Sequence, residues 1–497
     1  MESMKYFRIL FWLIVASYLV TRLFHLTLLP IFADEAIYIR WAMMIFHDPK
    51  QYIFLPLYDG KSPLFIWTLI PLVKLFFLDP LFASRLLSAI FGLSSLCAIV
   101  AITKRLGGSP FAQHMSGILV VLTPYALFHD RMGLIDSSVT SWLSWAVYFF
   151  LSWRESRRFT HILLVGLFWG LALLTKTTAF YIVPVFAGWW FVDFVRNPRF
   201  RCWKSFWQPG IALFIGLLLI AWMRVSPLFP FLFRRSSDFA FTIQEIISKP
   251  LYILSLNAPK IGLWWWTYLT PIILGILLVG LCLKHSRSIV VWMLLGLSLF
   301  TIPFLVSGRL LASRYLLPSI IFVLPAVGIT LDVIKEKHTY LVAGVLLLLV
   351  GWCGWFDSSL WFSPQAIPFT ADDARQYLSD WSAGYGIPET RDYIISRVNA
   401  GKKVLVGTEG YFGTLPDGLF VYFSETSYLK HMEIFGLGQP LISTPPQLKA
   451  KSVGYDETYM LVNENRITYD YTQDFILINR FEKPHSGPPL LLLQLKP

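Results

Sequence analysis

Charge is scarce in this chain. Of its 497 residues only 14% are Asp, Glu, Lys or Arg, where soluble domains carry about 25%, and 56% are hydrophobic. That balance excludes an ordinary water-soluble enzyme. Cysteine is scarcer still: Cys97, Cys202, Cys282 and Cys353 lie in or beside apolar runs and none falls in the polar C-terminal region, so neither a disulfide framework nor a thiolate metal site follows from them. The nine histidines are scattered without paired metal-ligand spacing. A small-residue cleavage site is also missing after the basic, apolar start. Leu10 to Pro30 is longer than a signal-peptide core, which predicts an uncleaved first helix.

What the chain has in abundance is long apolar runs. From Tyr6 to Phe356 they recur at lengths of about 18 residues or more, enough to cross about 30 Å of hydrocarbon as helices. The pattern predicts a polytopic α-helical membrane protein with about 11 spans, near residues 8–29, 83–103, 111–128, 137–153, 161–175, 178–195, 208–225, 262–283, 289–306, 315–332 and 340–356. With the N-terminus inside, the loops "TKRLGG", "WRESRRFTH", "VRNPRFRCWK", "LKHSRS" and "IKEKH" are all cytoplasmic and all basic, as the positive-inside rule requires. Two long outer loops follow, at about 31–82 and 226–261. The first holds "KSPLFIWTLIPLVKLFF", whose prolines and lysines suit a segment lying along the interface better than a crossing helix; a crossing there would invert everything after it. The second holds "FRRSSDFAFTIQEIISKP", a candidate amphipathic surface helix.

Composition changes at Asp357. Residues 357–497 carry 12 Lys+Arg against 16 Asp+Glu, leaving 30 and 14 to the first 356. Short β-rich runs ("KKVLVG", "TYMLV", "FILINR") alternate with "ARQYLSDWSAG" and "ETRDYIISRVNAG", helix patterns that stop at Gly. Residues 1–356 therefore read as a transmembrane domain and 357–497 as a small extracytoplasmic α/β domain.

The first outer loop opens with Asp34 and Glu35 in "PIFADEAIYIR". Two adjacent acids beside a membrane are either solvated helix-start residues or a general base and the group that orients it or a divalent cation. Their company favours chemistry. Outer segments also supply Lys61, Arg85, Arg131, Lys176, Arg309 and Arg314, on the face where the charge bias predicts few cations. A cationic pocket at headgroup depth suits a phosphorylated lipid. Each residue has a structural alternative: Asp136 as a helix N-cap or a partner of Arg131, Arg85 and Arg22 as snorkelling side chains, Lys176 and Arg309 as packing charges. "VGTEGYFG" places Gly407, Gly410 and Gly413 in a G-x-x-G-x-x-G spacing that does not match the dinucleotide fingerprint. The Trp264–Trp266 run reads as part of an interfacial aromatic belt.

In order along residues 5–335, "DEAIY", "GKSPLFIW", "ASRLLS", "RMGLID", "LTK" and "RYLLP" resemble the polyprenyl- or dolichyl-phosphate-sugar-dependent glycosyltransferases of the type C fold, a group that includes the protein O-mannosyltransferases and the lipid A aminoarabinose transferase. The resemblance implies transfer of a monosaccharide from a lipid phosphate to an extracytoplasmic lipid, glycan or protein acceptor, with inversion, at the plasma (inner) membrane. It implies Asp34 as the catalytic acid with Glu35 its neighbour, Lys61, Arg131 and Arg314 at the donor phosphate, and Asp136 at the second outer turn. Ser62 before Pro63 departs from the commoner two-proline pattern of the family. Arg85, Lys176 and Arg309 are supporting candidates, no cofactor is required, and a divalent cation on Asp34 and Glu35 stays open. Competing readings are a lipid-linked-sugar flippase and a glycan-binding membrane sensor; few charges near mid-span and the presence of the acid pair argue against them.

Overall fold

The computed structural model describes residues 2–76, 79–423 and 427–496. Two compact units divide the chain. A helical unit comprises the residues up to Leu26, Ile53–Trp67 and Arg85–Phe362; a sheet unit comprises Thr27–Tyr52, Thr68–Ser84 and the chain from Ser363 onward.

Every one of the eleven expected spans falls on a helical segment, but fewer are long and apolar enough to cross a membrane. Among the described residues seven single helices qualify: Lys5–Leu23, Pro80–Arg105, Thr177–Arg196, Trp203–Val225, Lys284–Ser307, Ser313–Lys335 and Thr339–Phe362. Two further pairs raise the number to nine if each is one span, Pro110–Leu122 with Pro124–Asp130, bent by 58°, and Pro250–Leu269 with Pro271–Cys282, bent by 100°. The breaks have a local cause. Pro124 and Pro271 open the second helix of each pair, where a missing N–H costs nothing, whereas inside a helix it would remove a bond. The remaining two expected spans are Ile135–Ser156, made less apolar by Asp136, Arg154, Glu155 and a face of buried hydroxyls, and Phe159–Thr175, which has 17 residues.

Close helix packing in this unit uses small residues. Gly166 and Gly170 on Phe159–Thr175 face Ala212 and Gly216 on Trp203–Ala221; a Cβ at Gly166 would meet the Ala212 carbonyl at 2.8 Å. Two small-x-x-x-small pairs thus let the backbones approach where lipid offers no hydrophobic drive.

The loops differ from expectation in detail. "KSPLFIWTLIPLVKLFF" forms the helix Leu64–Leu75, 12 residues long and so about 18 Å, too short to span. The second outer loop is not one amphipathic helix but Phe229–Phe233, Ser236–Phe239, Ile243–Ser248 and the start of Pro250–Trp264. Thr242 caps the third with Glu245 reaching back to its N–H, and Pro250 starts the next.

In the sheet unit, strands β1 (Val404–Thr408), β2 (Met432–Gly436), β3 (Glu457–Asn463), β4 (Phe475–Lys483) and β5 (Gly487–Leu495) lie in the order β2-β1-β3-β5-β4. β1 runs parallel to β2 and β3, and β5 pairs antiparallel with β3 and β4. Leu405, Leu448, Met460, Val462, Phe475, Leu491 and Leu493 form its core. Helix Ile387–Asn399 ends where "NAG" predicts, with Gly401 at φ +80°. The helix Ala33–His47 belongs to this unit too. The Ala33 N–H donates to the Ser382 carbonyl at 3.0 Å, Phe32 bridges to Ala383, and the helix packs on Asp417–Phe423, with Arg40 over the Phe420 ring.

Candidate functional site

Asp34 and Glu35 occupy the first turn of Ala33–His47, where the helix dipole favours negative charge. Their environments differ. Glu35 is fully buried and its Oε2 accepts the Phe32 N–H at 2.9 Å, tying down a helix start that has no side-chain N-cap. Asp34 stays partly exposed. Glu35 thus braces the helix start, and its neighbour is the less buried of the two.

The helical unit gathers three of the other candidates. Asp136 begins Ile135–Ser156, Lys176 sits at the extended residue that ends Phe159–Thr175, and Arg314 lies in the turn Ser313–Ser319. Lys176 Nζ donates to Asp136 Oδ1 at 2.6 Å, and Arg314 Nε is 3.9 Å from Asp136 Oδ2. The Lys176 ammonium also lies 3.9 Å from the centre of the Tyr315 ring. Two cations thus converge on one carboxylate. His129, buried with no hydrogen-bond partner on Nδ1 among the described residues, lies within electrostatic reach of both cations. It stands in "FHDRMG", and sequence reasoning passes over it because it lacks a ligand-spaced partner.

Lys61 stands beside Asp59. Its Nζ is 3.6 Å from Asp59 Oδ2, and Asp59 Oδ1 takes Arg235 Nη1 at 2.8 Å. Gly60 makes the turn at φ +72°, where a Cβ would stand 3.4 Å from the Leu232 carbonyl. Arg235, which no sequence motif marks, therefore holds the "DGK" turn from the second long loop.

Arg131 and Arg85 serve the end of the first helix. Arg131 Nη1 donates to the carbonyls of Thr21, Arg22 and Phe24, and its Nη2 to that of His25, at 2.7–2.9 Å. Arg85 Nη1 donates to Leu26 at 2.9 Å. Carbonyls at a helix C-terminus lack intrahelical donors and carry partial negative charge, so guanidinium groups satisfy both needs. Arg131, expected at the donor phosphate, thus spends both terminal nitrogens on main chain. It does not pair with Asp136. Arg22 extends the network: it donates to Val120 and Val121, and its Nε is 3.8 Å from Asp130, which also accepts from Tyr18 and Ser137. Arg309 is bound to Glu245 at 2.7 Å and is about two-fifths exposed. Among the described residues no three His, Cys, Asp or Glu side chains group as metal ligands.

Residues 60–223 match the family profile described as dolichyl-phosphate-mannose-protein mannosyltransferase. No curated protein matches the chain in sequence. Among solved structures, ArnT from Cupriavidus metallidurans bound to undecaprenyl phosphate aligns with a TM-score of 0.59 at 13% identity, over 99% of this chain and 98% of ArnT. The archaeal oligosaccharyltransferase AglB from Archaeoglobus fulgidus, in complex with an inhibitory peptide and a dolichol-phosphate, aligns at 0.53 and 11% identity, over 91% of this chain and 69% of AglB. The mycobacterial arabinofuranosyltransferase AftD aligns at 0.53 and 13%, over 99% of this chain but 40% of AftD. The chain thus has the fold shared by these type C membrane glycosyltransferases. Within that fold, residues 60–223 match the mannosyltransferase profile, and the alignment with ArnT runs over 99% of the chain.

Proposed function

We propose that this protein transfers a monosaccharide from a polyprenyl-phosphate-linked donor to a hydroxyl or phosphate acceptor on the extracytoplasmic side of the plasma (inner) membrane, with its N-terminus in the cytoplasm. The observation that carries the reading is the convergence of Lys176 and Arg314 on buried Asp136, assembled from three turns that the sequence places on one membrane face. Such a cluster suits a lipid phosphate, and the fold shared with the undecaprenyl-phosphate-bound ArnT supports that ligand class.

In the reaction, an acceptor oxygen forms the new bond to the anomeric carbon as the bond from that carbon to the lipid-phosphate oxygen breaks. The Asp34 carboxylate takes the proton of a hydroxyl acceptor, and the phosphate leaves with the bonding electron pair. Attack opposite the leaving group inverts the anomeric centre. Lys61, Lys176 and Arg314 stabilise charge growing on the phosphate, a contribution that is largest where water is excluded; Arg131 and Arg85 fix the helix end before the acid pair. The positive charge comes from side chains, so the reaction as written requires no metal.

The test is incubation of the purified protein in lipid with radiolabelled polyprenyl-phosphate monosaccharides and membrane extract, comparing wild type with Asp34→Asn. Label reaching an acceptor only with wild type is the expected result and identifies the sugar. Donor bound without transfer, with headgroup movement across vesicles, would replace this reading with that of a flippase.

A further inference from the structure

The order β2-β1-β3 with parallel pairing is that of doubly wound sheets in which ligands bind beyond the carboxyl ends of the strands, where successive connections depart to opposite sides of the first strand. In this sheet that point lies between the ends of β1 and β3. Buried charge fills it. Glu409, one residue past β1, accepts the Asn463 N–H at 2.6 Å and the Asn463 side-chain amide at 2.7 Å. Lys483 donates to the Asn463 side-chain oxygen at 2.7 Å and to the Asp380 carbonyl at 2.8 Å. Arg466 Nη1 is 3.1 Å from Glu409, and its guanidinium lies over the Trp381 ring at 4.6 Å. Core packing does not call for such a set, because replacing buried ion pairs by apolar groups is often neutral or stabilising.

Around the buried network stand features that a ligand would use. Trp381 is 36% exposed, and the loop after β1 holds Tyr411 at 70% and Phe412 at 53%. Gly410 and Gly413 take left-handed conformations, and a Cβ at Gly413 would lie 3.4 Å from the Trp381 ring. The Tyr411 ring rests against Gly436 and Gly438. In the same loop the Thr414 hydroxyl is buried with no hydrogen-bond partner among the described residues. Arg466 makes one ion pair among the described residues, so part of its five-donor fork remains for another acceptor.

We propose that the aromatic surface beside this network binds a neutral saccharide unit of the acceptor, an inference that rests on the glycosyltransferase reading. The charges facing one another there, Glu409 and Asp380 against Arg466 and Lys483, balance, so the site offers no surplus charge to an ionic ligand. It offers donors and acceptors side by side, as sugar hydroxyls need, and aromatic faces for the apolar face of a pyranose ring. The loop also reaches the helix of the acid pair. The Gly413 N–H donates to Asp417 at 2.8 Å, and Asp417 opens the short helix packed on Ala33–His47. Saccharide seated on the loop therefore bears on the element that carries Asp34.

The experiment is saturation-transfer NMR on the full chain in lipid nanodiscs, with neutral oligosaccharides of mannose, glucose, galactose and arabinose, and trigalacturonate as the anionic control. Wild type is expected to bind at least one neutral oligosaccharide saturably. Trp381→Ala and Tyr411→Ala, both at exposed positions, should weaken it roughly three- to tenfold, the loss of one aromatic contact, with an unchanged melting temperature. Absence of binding by wild type, preference for trigalacturonate, or wild-type affinity in both aromatic variants overturns the inference. Transfer without such binding would sink this proposal alone; binding without transfer from any donor would sink the enzymatic reading and leave saccharide binding at this surface standing.

Discussion

Lys176 Nζ lies 2.6 Å from Asp136 Oδ1, while the Arg314 guanidinium approaches the other carboxylate oxygen at 3.9 Å. One buried acid thus gathers two cations from different turns. Asp136 is a positioning residue, because its negative charge offsets the repulsion of the pair and sets their direction. Lys176→Ala and Arg314→Ala should each lower kcat/KM for the lipid-phosphate donor on the order of 10²-fold. Asp136→Asn should act mainly on donor KM. Steady-state kinetics with variable donor checks the split; a pure kcat effect in Asp136→Asn would argue against positioning.

The two neighbouring acids should separate cleanly. Asp34→Asn removes a proton acceptor and should lower transfer by about 10² to 10⁴-fold without changing folding. Glu35→Gln keeps an oxygen for the Phe32 N–H but loses the charge at the helix start, at a cost of about 1 kcal/mol. Thermal unfolding in lipid should therefore fall slightly in Glu35→Gln while turnover per folded molecule stays within a few-fold. The reverse pattern would exchange the two roles.

Arg131 gives a stability prediction. Its replacement by Ala removes a donor from the carbonyls of Thr21, Arg22, Phe24 and His25; Thr21 keeps the Trp361 indole N–H and Phe24 and His25 are exposed, so the loss falls mainly on the buried Arg22 carbonyl, at about 1–3 kcal/mol. A lower melting temperature with loss of helix in the first 26 residues, followed by hydrogen exchange, is expected. Arg131→Lys should recover only part, since an ammonium cannot reproduce the fork.

Much of the architecture is legible because a long apolar run is a one-dimensional signal. All eleven expected segments are helical. The bends at Pro124 and Pro271 and the hydroxyl-rich face of Ile135–Ser156 are what lower the number that qualify as straight apolar spans. In the sheet unit β1, β3 and β4 announce themselves, whereas β5, "GPPLLLLQL", has no alternation to read, since its middle is buried on both faces. The ordered motifs point to the residues of the helical unit but not to their partners. Asp136 and Lys176 are 40 positions apart, and only packing of separate helices decides that they meet. For the same reason no local pattern shows that Arg131 caps a helix more than 100 residues upstream, or that Arg235 holds the turn before Lys61.

Lys483 supplies a pH test. Burial outweighs the attraction of Glu409 and Asp380 and pulls its amine down to about 8 from 10.5. Because the folded form loses this proton first, the unfolded chain binds more protons between about pH 8 and 10.5, and stability rises with pH across that window. Lys483→Met lacks the titration. The stability of wild type minus that of the variant, from denaturant unfolding monitored in the sheet unit, should climb from pH 8 to 10.5 by up to a few kcal/mol. A flat difference would contradict the assigned burial cost.

The division of the chain into units also sets a timetable. Thr27–Tyr52 and Thr68–Ser84 leave the ribosome early, but the strands they share a compact unit with are made last, from Ser363 onward. The helix bearing Asp34 must wait for the strands made from Ser363 onward before its own unit can close. Release of a truncated chain at Phe362 would leave that helix without the rest of its unit.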